Sequence, residues 1–380
     1  MMEICKRQDC CGCGVCVEVC PKKCIKMKQD EEGFYYPSID VHKCIECKLC
    51  QIVCPGNSGM KATEYTDAYA VLNASEEVRG NSSSGGAFYS LALKVLEVGG
   101  VVFGAAFTEG CEEVRHICIE NVDELDKIMG SKYVQTTPTD NLYQSVRKEL
   151  RNDKIVLFSG TPCQVVACKR FLKNEKINKL ITVDLICHGV PSPGVWKKYL
   201  KETASNVRSV FFRDKTAGWR KFSLRIDTKD RTFLQRENQN VYMKGFLNDL
   251  YSRMSCYNCK FKGLNRESDI TLGDFWQVGN MFPDLDDDMG TSIVFVHSEK
   301  GNALLQSIIV NSNIKFCKVK ASVVADGNPM IHESIKLSKK RGVFFANWRE
   351  VSIEDNVMIC LRKNIYEKIV GKIKWVILRK

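Results

Sequence analysis

Four apolar runs punctuate the middle of the chain: AYAVLN (68–73), VVFGAAF (101–107), KIVLFSG (154–160) and LITVDLICHG (180–189). Runs of this length without polar alternation suit strands buried on both faces. Helical periods lie between them. NSSSGGAFYSLALKVLEVGG begins as a small-residue loop, turns helical near Gly85 and stops at the Gly99–Gly100 pair. TDNLYQSVRKELRN and TPCQVVACKRFLKN read as two further helices. Strand and helix in alternation predict an α/β domain with a partly parallel, mixed sheet. From 208 to 236 the pattern turns β-like, with SVFFRD and the alternating KFSLRID. The tail carries Ile365, Ile369, Ile373 and Ile377 between lysines and arginines, which predicts a basic amphipathic helix.

The first 60 residues follow another grammar. CCGCGVCVEVCP at 10–21 recurs as CIECKLCQIVCP at 44–55. The intervening IKMKQDEEGFYYPSID predicts a β-hairpin around DEEG. GNSGMKATEYTD reads as a linker. The expected fold is therefore α+β. A small domain at 1–60 precedes a mixed-sheet α/β domain at 61–325. A C-terminal extension at 326–380 ends in the helical tail.

Each repeat spells C-x2-C-x2-C-x3-C-P. The first supplies Cys10, Cys13, Cys16 and Cys20, and the second Cys44, Cys47, Cys50 and Cys54. Three thiolates at i, i+3 and i+6 wrap one cuboidal cluster from a single loop, and the fourth reaches the other cluster. One [4Fe–4S] cluster should thus take Cys10, Cys13, Cys16 and Cys54, and the other Cys44, Cys47, Cys50 and Cys20. Zinc sites show separated cysteine pairs instead. A two-cluster ferredoxin module transfers single electrons and must feed something else. Cys11 has no place in the spacing and reads as a bystander.

The 20 cysteines, in tight sets and without an apolar signal core in MMEICKRQDC, point to a reducing cytoplasm. No window approaches the roughly 18 apolar residues of a membrane span. A net charge of +11 invites a nucleic-acid reading. The charge is spread along the chain, however, and each thiolate-bound cluster carries about −2. A surface that balances its cofactors is the better account.

Further candidates follow downstream. GNSSSGGAFYSLA sets small residues before a helix, as a phosphate cradle does. In FSGTPCQ, Thr161 can cap the next helix and Pro162 suits its first position. Cys163 then falls in the first turn, where the dipole favours thiolate. Cys187 ends a strand in DLICHG, and SCYNCKF contributes Cys256 and Cys259. These four thiols could form a third iron–sulfur site, a zinc site or a redox-active thiol pair. Cys168, Cys111, Cys118, Cys317 and Cys360 default to packing, and His188 to a structural role. The loop FRDKTAGWRKF offers Arg213, Lys215, Trp219, Arg220 and Lys221 either to an anionic substrate or to solvent. SDITLGDFW reads as a buried strand with Asp269 and Asp274 as turn or cap residues.

Taken in order, FSGTPCQ, VDLICHGVPSP, CYNCKFK, SDITLGDFW and GTSIV resemble the coenzyme F420 hydrogenase/dehydrogenase beta-subunit family, over residues from about 68 to about 320. A fused N-terminal two-cluster ferredoxin is a common arrangement there. The resemblance implies that 61–325 is a reductase domain binding FAD beside a [4Fe–4S] cluster, with Cys163, Cys187, Cys256 and Cys259 as the cluster ligands. It implies flavin contacts from Ser83, Ser84, Gly85 and Gly86, from Lys132, Tyr133 and Gln135, and from Gly160, Thr161 and Pro162. The expected function is an iron–sulfur flavoprotein oxidoreductase. It would pass electrons between ferredoxin-type clusters and FAD to reduce or oxidise a two-electron substrate such as coenzyme F420 or another soluble acceptor. The alternative is a non-catalytic electron-transfer subunit of a larger redox complex. Expected partners are a soluble redox protein (a ferredoxin or a hydrogenase/dehydrogenase subunit) and a small-molecule acceptor. No nucleic acid and no membrane span are expected.

Overall fold

The computed structural model describes residues 3–61, 66–139, 141–310 and 312–362. The tail helix expected at 365–377 lies outside them. The fold is α+β: a small ferredoxin-like domain, a large mixed sheet and C-terminal helices.

In the small domain β1 (Ile25–Gln29) pairs with β2 (Tyr35–Ile39) in antiparallel register, Ile25 opposite Ile39 and Gln29 opposite Tyr35. The Asp30 carboxylate closes the turn by accepting from the backbone N–H of Glu32 at 3.1 Å and of Phe34 at 2.8 Å. Gly33 completes it at φ 80, a conformation only glycine adopts freely. The expected linker starts as a helical turn, Pro55–Ser58. Asn57 anchors that turn through the carbonyls of Ile4 and Gln51.

The large sheet comprises β3 (Asp67–Asn73), β4 (Val101–Phe107), β5 (Val114–Ile119), β6 (Val156–Ser159), β7 (Leu180–Leu185), β11 (Ile270–Asp274), β12 (Ser292–Val296) and β13 (Ile314–Val319). Its order is β13-β3-β12-β11-β7-β6-β4-β5. The centre, β11-β7-β6-β4, is parallel, and every other pairing is antiparallel. The apolar runs reflect burial on both faces. Val102, Leu157 and Val183 face the helix Ala87–Glu97, while Val101, Phe103, Val156 and Phe158 face the helices Leu142–Arg151 and Pro162–Phe171. Successive side chains thus enter opposite cores. Several helices escaped the sequence pattern, among them Pro193–Thr203, Glu299–Ile309 and the short Glu76–Asn81, whose Ser75 hydroxyl accepts from Val78 N at 3.3 Å.

A second sheet of β8 (Val207–Asp214), β9 (Ser223–Thr228) and β10 (Thr232–Arg236) has the order β10-β9-β8, all antiparallel. It backs an aromatic core in which the Trp196 ring lies 5.0 Å from both Phe212 and Tyr242. Phe344, Trp348, Ile353 and Val357, from the last described helices, are buried in that same core.

These helices also grip the ferredoxin domain. Arg341 forks onto the Glu32 carboxylate at 2.7 and 2.5 Å. Ser192 donates to the Glu32 carbonyl at 2.6 Å, and Trp348 Nε1 to that of Glu31 at 3.1 Å. Gly33 and Gly194 meet so closely that a Cβ on either would lie 2.8 Å from the other's Cα.

Candidate cofactor and electron-transfer site

The carboxyl ends of the parallel strands β6, β7 and β11 open onto one cavity of ≈ 620 Å³. This is where an open α/β sheet places its ligand. Of the expected flavin contacts, Ser83, Ser84 and Gly86 line it from one side, and Lys132, Tyr133 and Gln135 from another. Gly160 and Thr161 form the rim above β6. Gly85 and Pro162 stand behind this lining, Gly85 against the ends of β3 and β12 and Pro162 buried at the start of its helix.

The serine hydroxyls hold the loop itself. Ser83 Oγ lies 2.7 Å from Ser131 Oγ, Ser84 donates to the Thr291 carbonyl at 2.8 Å, and Gly85 N donates to Ser292 Oγ at 2.9 Å. No side chain caps the helix Ala87–Glu97, because its N-cap is Gly86 at φ 84. Ala87 and Phe88 line the cavity, so unpaired amides of the first turn can serve a ligand there. A Cβ on Gly85 would stand 2.5 Å from the Val71 carbonyl and 2.6 Å from Ser292 N. Gly85→Ala is therefore expected to destabilise the chain by about 2–3 kcal/mol in urea unfolding, since backbone cannot step aside as a side chain can.

Electrostatics inside the cavity are shaped by burial. It brings the Lys132 ammonium down to about 7, although its Nζ donates to the Met129 carbonyl at 2.6 Å. His116, stacked on Phe158 at 5.5 Å, is pushed to about 4 and stays neutral. Its Nε2–H donates to the Ser159 carbonyl at 3.1 Å. His188 lines the cavity too, with Nε2 2.8 Å from an Asp249 oxygen.

The basic loop differs from expectation. Lys215 is held inward by the carbonyls of Arg79, Ser84 and Met289, each at 2.7 Å. Arg220 pairs with Asp286 at 2.7 Å. Trp219 is fully buried and stacks on Trp276, 4.7 Å away at 10°. Trp276, not Trp219, lines the cavity. Arg213 reaches it while paired to Asp274 at 3.0 Å. Asp274 is thus an ion-pair partner, and Asp269 binds Thr182 N at 2.7 Å.

Cys163 and Cys187 line the cavity. Behind them lie Cys256 and Cys259. Burial raises the Cys187 thiol, and the charges of Cys256, Cys163 and Cys259 raise it further. The structure thus brings the four downstream cysteines into one neighbourhood. Among the described residues, no three His, Cys, Asp or Glu side chains converge tightly enough for a single ion. Thr161 caps its helix as expected, in a capping box with Gln164 and with Pro162 in the first turn. The dipole nevertheless loses at Cys163. Contact with the Cys11 thiol, then burial, push its pKa well above the ordinary value.

That contact corrects the reading of Cys11 as a bystander. Cys11 lines the cavity and touches both Cys13 and Cys163. Cys168 is buried as expected, whereas Cys118 is exposed. In the ferredoxin domain, Cys20, Cys44, Cys47 and Cys50 line one small apolar cavity. Its walls also include Cys24, whose sulfur is 3.4 Å from that of Cys20. Cys5 plays the corresponding part beside Cys10 and Cys54.

Sequence reasoning missed Arg253. It is fully buried. Nε donates to the Cys10 carbonyl at 2.6 Å, Nη1 to Gln135 Oε1 at 3.1 Å and Nη2 to the Tyr35 carbonyl at 2.9 Å. Nη2 also lies 3.5 Å from Cys10 Sγ. None of these partners is a carboxylate. Contact with Cys5, together with the Arg253 charge, holds the Cys10 thiol down at about 5. A lone arginine before a C-x2-C pair carries no periodic signal that could have flagged it.

Residues 153–322 match the family described as the C terminus of the coenzyme F420 hydrogenase/dehydrogenase beta subunit. Residues 9–58 match the 4Fe-4S dicluster domain. An uncharacterised ferredoxin of Methanocaldococcus jannaschii is 46% identical over 52 residues, 14% of this chain and 66% of that protein. A chain of the xenon-derivatised F420-reducing [NiFe] hydrogenase complex from Methanosarcina barkeri aligns with a TM-score of 0.48 and 16% identity, over 72% of this chain and 90% of that one. Among the described residues, no helix is long and apolar enough to cross a membrane.

Proposed function

We propose, for a chain that joins a 4Fe-4S dicluster domain to the C-terminal domain of coenzyme F420 hydrogenase/dehydrogenase beta subunits and is thereby an iron–sulfur redox protein, that it links single-electron carriers to a two-electron substrate. The observation that carries this reading is that Cys11, in the first ferredoxin loop, lines the cavity together with Cys163, its carbonyl accepting from Gln135 Nε2 at 3.2 Å. Cys163, Cys187, Cys256 and Cys259 would hold a third cluster and the cavity would hold FAD, which together would supply the path from single-electron carriers to an electron pair. The substrate is coenzyme F420 or another soluble acceptor.

The residues fit these groups. The open amides at Ala87 and Phe88 and the Lys132 ammonium suit a diphosphate. Lys262, donating to the Cys187 carbonyl at 2.7 Å, adds positive charge beside the thiols. FAD, when bound, supplies the exchange between single electrons and electron pairs. Trp276, braced by Trp219, offers an aromatic face to a ring, and Arg213, fixed by Asp274, offers its charge to an anion.

Anaerobic reconstitution is expected to yield about twelve iron atoms and one FAD per chain. Cys163→Ala should retain about eight iron atoms with both ferredoxin clusters spectroscopically intact. A wild-type chain that stops at about eight removes the third cluster from this reading. A chain that loads FAD yet reduces no offered acceptor by itself is the relay subunit of a larger complex.

A further inference from the structure

The two cysteine repeats are equivalent in sequence but not in surroundings. Position for position, Cys11, Val15 and Glu18 of the first correspond to Ile45, Leu49 and Ile52 of the second. The first set is already docked. Cys11 touches Cys163, Val15 is 1% exposed in the core with Tyr143 and Val165, and Glu18 accepts from the amides of Tyr143 at 3.1 Å and Gln144 at 2.9 Å. The second set is open, with Ile45 57%, Leu49 39% and Ile52 66% exposed beside the exposed Cys47. With Val41, these are the exposed large hydrophobic residues of the domain among the described residues.

Charge distinguishes the two faces further. The docked face meets the body as an acidic partner, with Asp9 taking Lys260 at 3.0 Å. The open face is ringed by the exposed Lys22, Lys23, Lys43 and Lys48. Against them stand Glu46 and Asp40, the latter paired with Lys43 at 3.4 Å. Lys22 lines the cavity shared by Ile45, Leu49 and Cys47.

We propose that this lysine-ringed apolar face docks a small acidic one-electron carrier protein, which exchanges electrons with the cluster of the second repeat. The inference rests on the electron-transfer reading above and gives it an outer terminal. Each encounter oxidises the carrier by one electron and reduces the cluster by one, with no bond or proton exchanged. A modest apolar centre with a charged rim suits a transient redox encounter. A second copy is a poor occupant, because both surfaces would carry the same lysines.

The test mixes the anaerobically reconstituted full chain with a reduced acidic two-iron ferredoxin in stopped flow. The second-order rate is expected to fall about tenfold or more between low and high salt, an effect that needs no mutation. The double variant Lys22→Glu, Lys43→Glu should lose about tenfold at low salt, with iron content and reduction by dithionite unchanged. Lys94→Glu, on the helix Ala87–Glu97, should behave as wild type. A rate indifferent to salt and to the charge reversals overturns the docking face. So does a reversal whose only consequence is a dimer becoming a monomer in sedimentation. Clusters that dithionite cannot reduce overturn the electron-transfer reading itself, a failure distinct from the other two.

Discussion

Replacing Arg253 with methionine is expected to destabilise the reconstituted chain by about 3–5 kcal/mol in guanidinium unfolding. Methionine fills much of the volume but makes none of the hydrogen bonds. The carbonyls of Cys10 and Tyr35 and the amide oxygen of Gln135 would each lose a buried charged donor. Their desolvation, at about 1–3 kcal/mol apiece, sets the size of the effect. A second readout separates electrostatics from packing. The guanidinium lies against Cys10 Sγ and favours added negative charge there. The cluster that takes Cys10 should therefore show a more negative midpoint potential in the variant. Arg253→Lys keeps the charge but not the fork, so it should restore part of the potential and less of the stability. A methionine variant within about 1 kcal/mol of wild type would show that the buried arginine is dispensable.

With Cys20 and Cys24 both changed to serine, the chain is expected to lose about four iron atoms, and the cluster lost should be that of the second repeat. Cys20 belongs by sequence to the first repeat, yet it lines one cavity with Cys44, Cys47 and Cys50. The double change is needed because the Cys24 sulfur stands 3.4 Å from that of Cys20 and also lines the cavity. The single Cys20→Ser variant should keep most of its iron by recruiting that thiol. Electron paramagnetic resonance of the reduced protein should then lose the contribution of the second repeat's cluster and its coupling to the first, while the signal of the Cys10 set remains. Loss of signal from the Cys10 set instead would refute the crossover.

What could be read in advance depended on distance along the chain. The cysteines expected to hold the ferredoxin clusters announce themselves because three of each four fall within one loop. Strands β3, β4, β6 and β7 were visible because both faces are covered, so every residue of VVFGAAF had to be apolar or small; the edge strands β5 and β13, half exposed, gave no such run. Cys163, Cys187, Cys256 and Cys259 could be nominated singly, but only the pairing of β6 with β7 and the bridge between Pro191 and Ser252 bring their segments together. Cys11 was misjudged for the same reason, since its partner lies 152 positions away (163 − 11) on another domain. Trp219 and Trp276 exchanged places because a loop sequence does not reveal which of two stacked indoles covers the other.

A free two-cluster ferredoxin has two doors and can shuttle between partners. Here Val15 and Glu18 pack one of them against the helices behind it, and under the proposed docking face carriers enter at the other. Under the proposed function, a substrate that needs two electrons must then wait for two successive callers at that doorway. The clusters become a waiting room in which the first electron is held until the second arrives. Turnover in such a molecule should follow the supply of reduced carrier before it follows the supply of substrate.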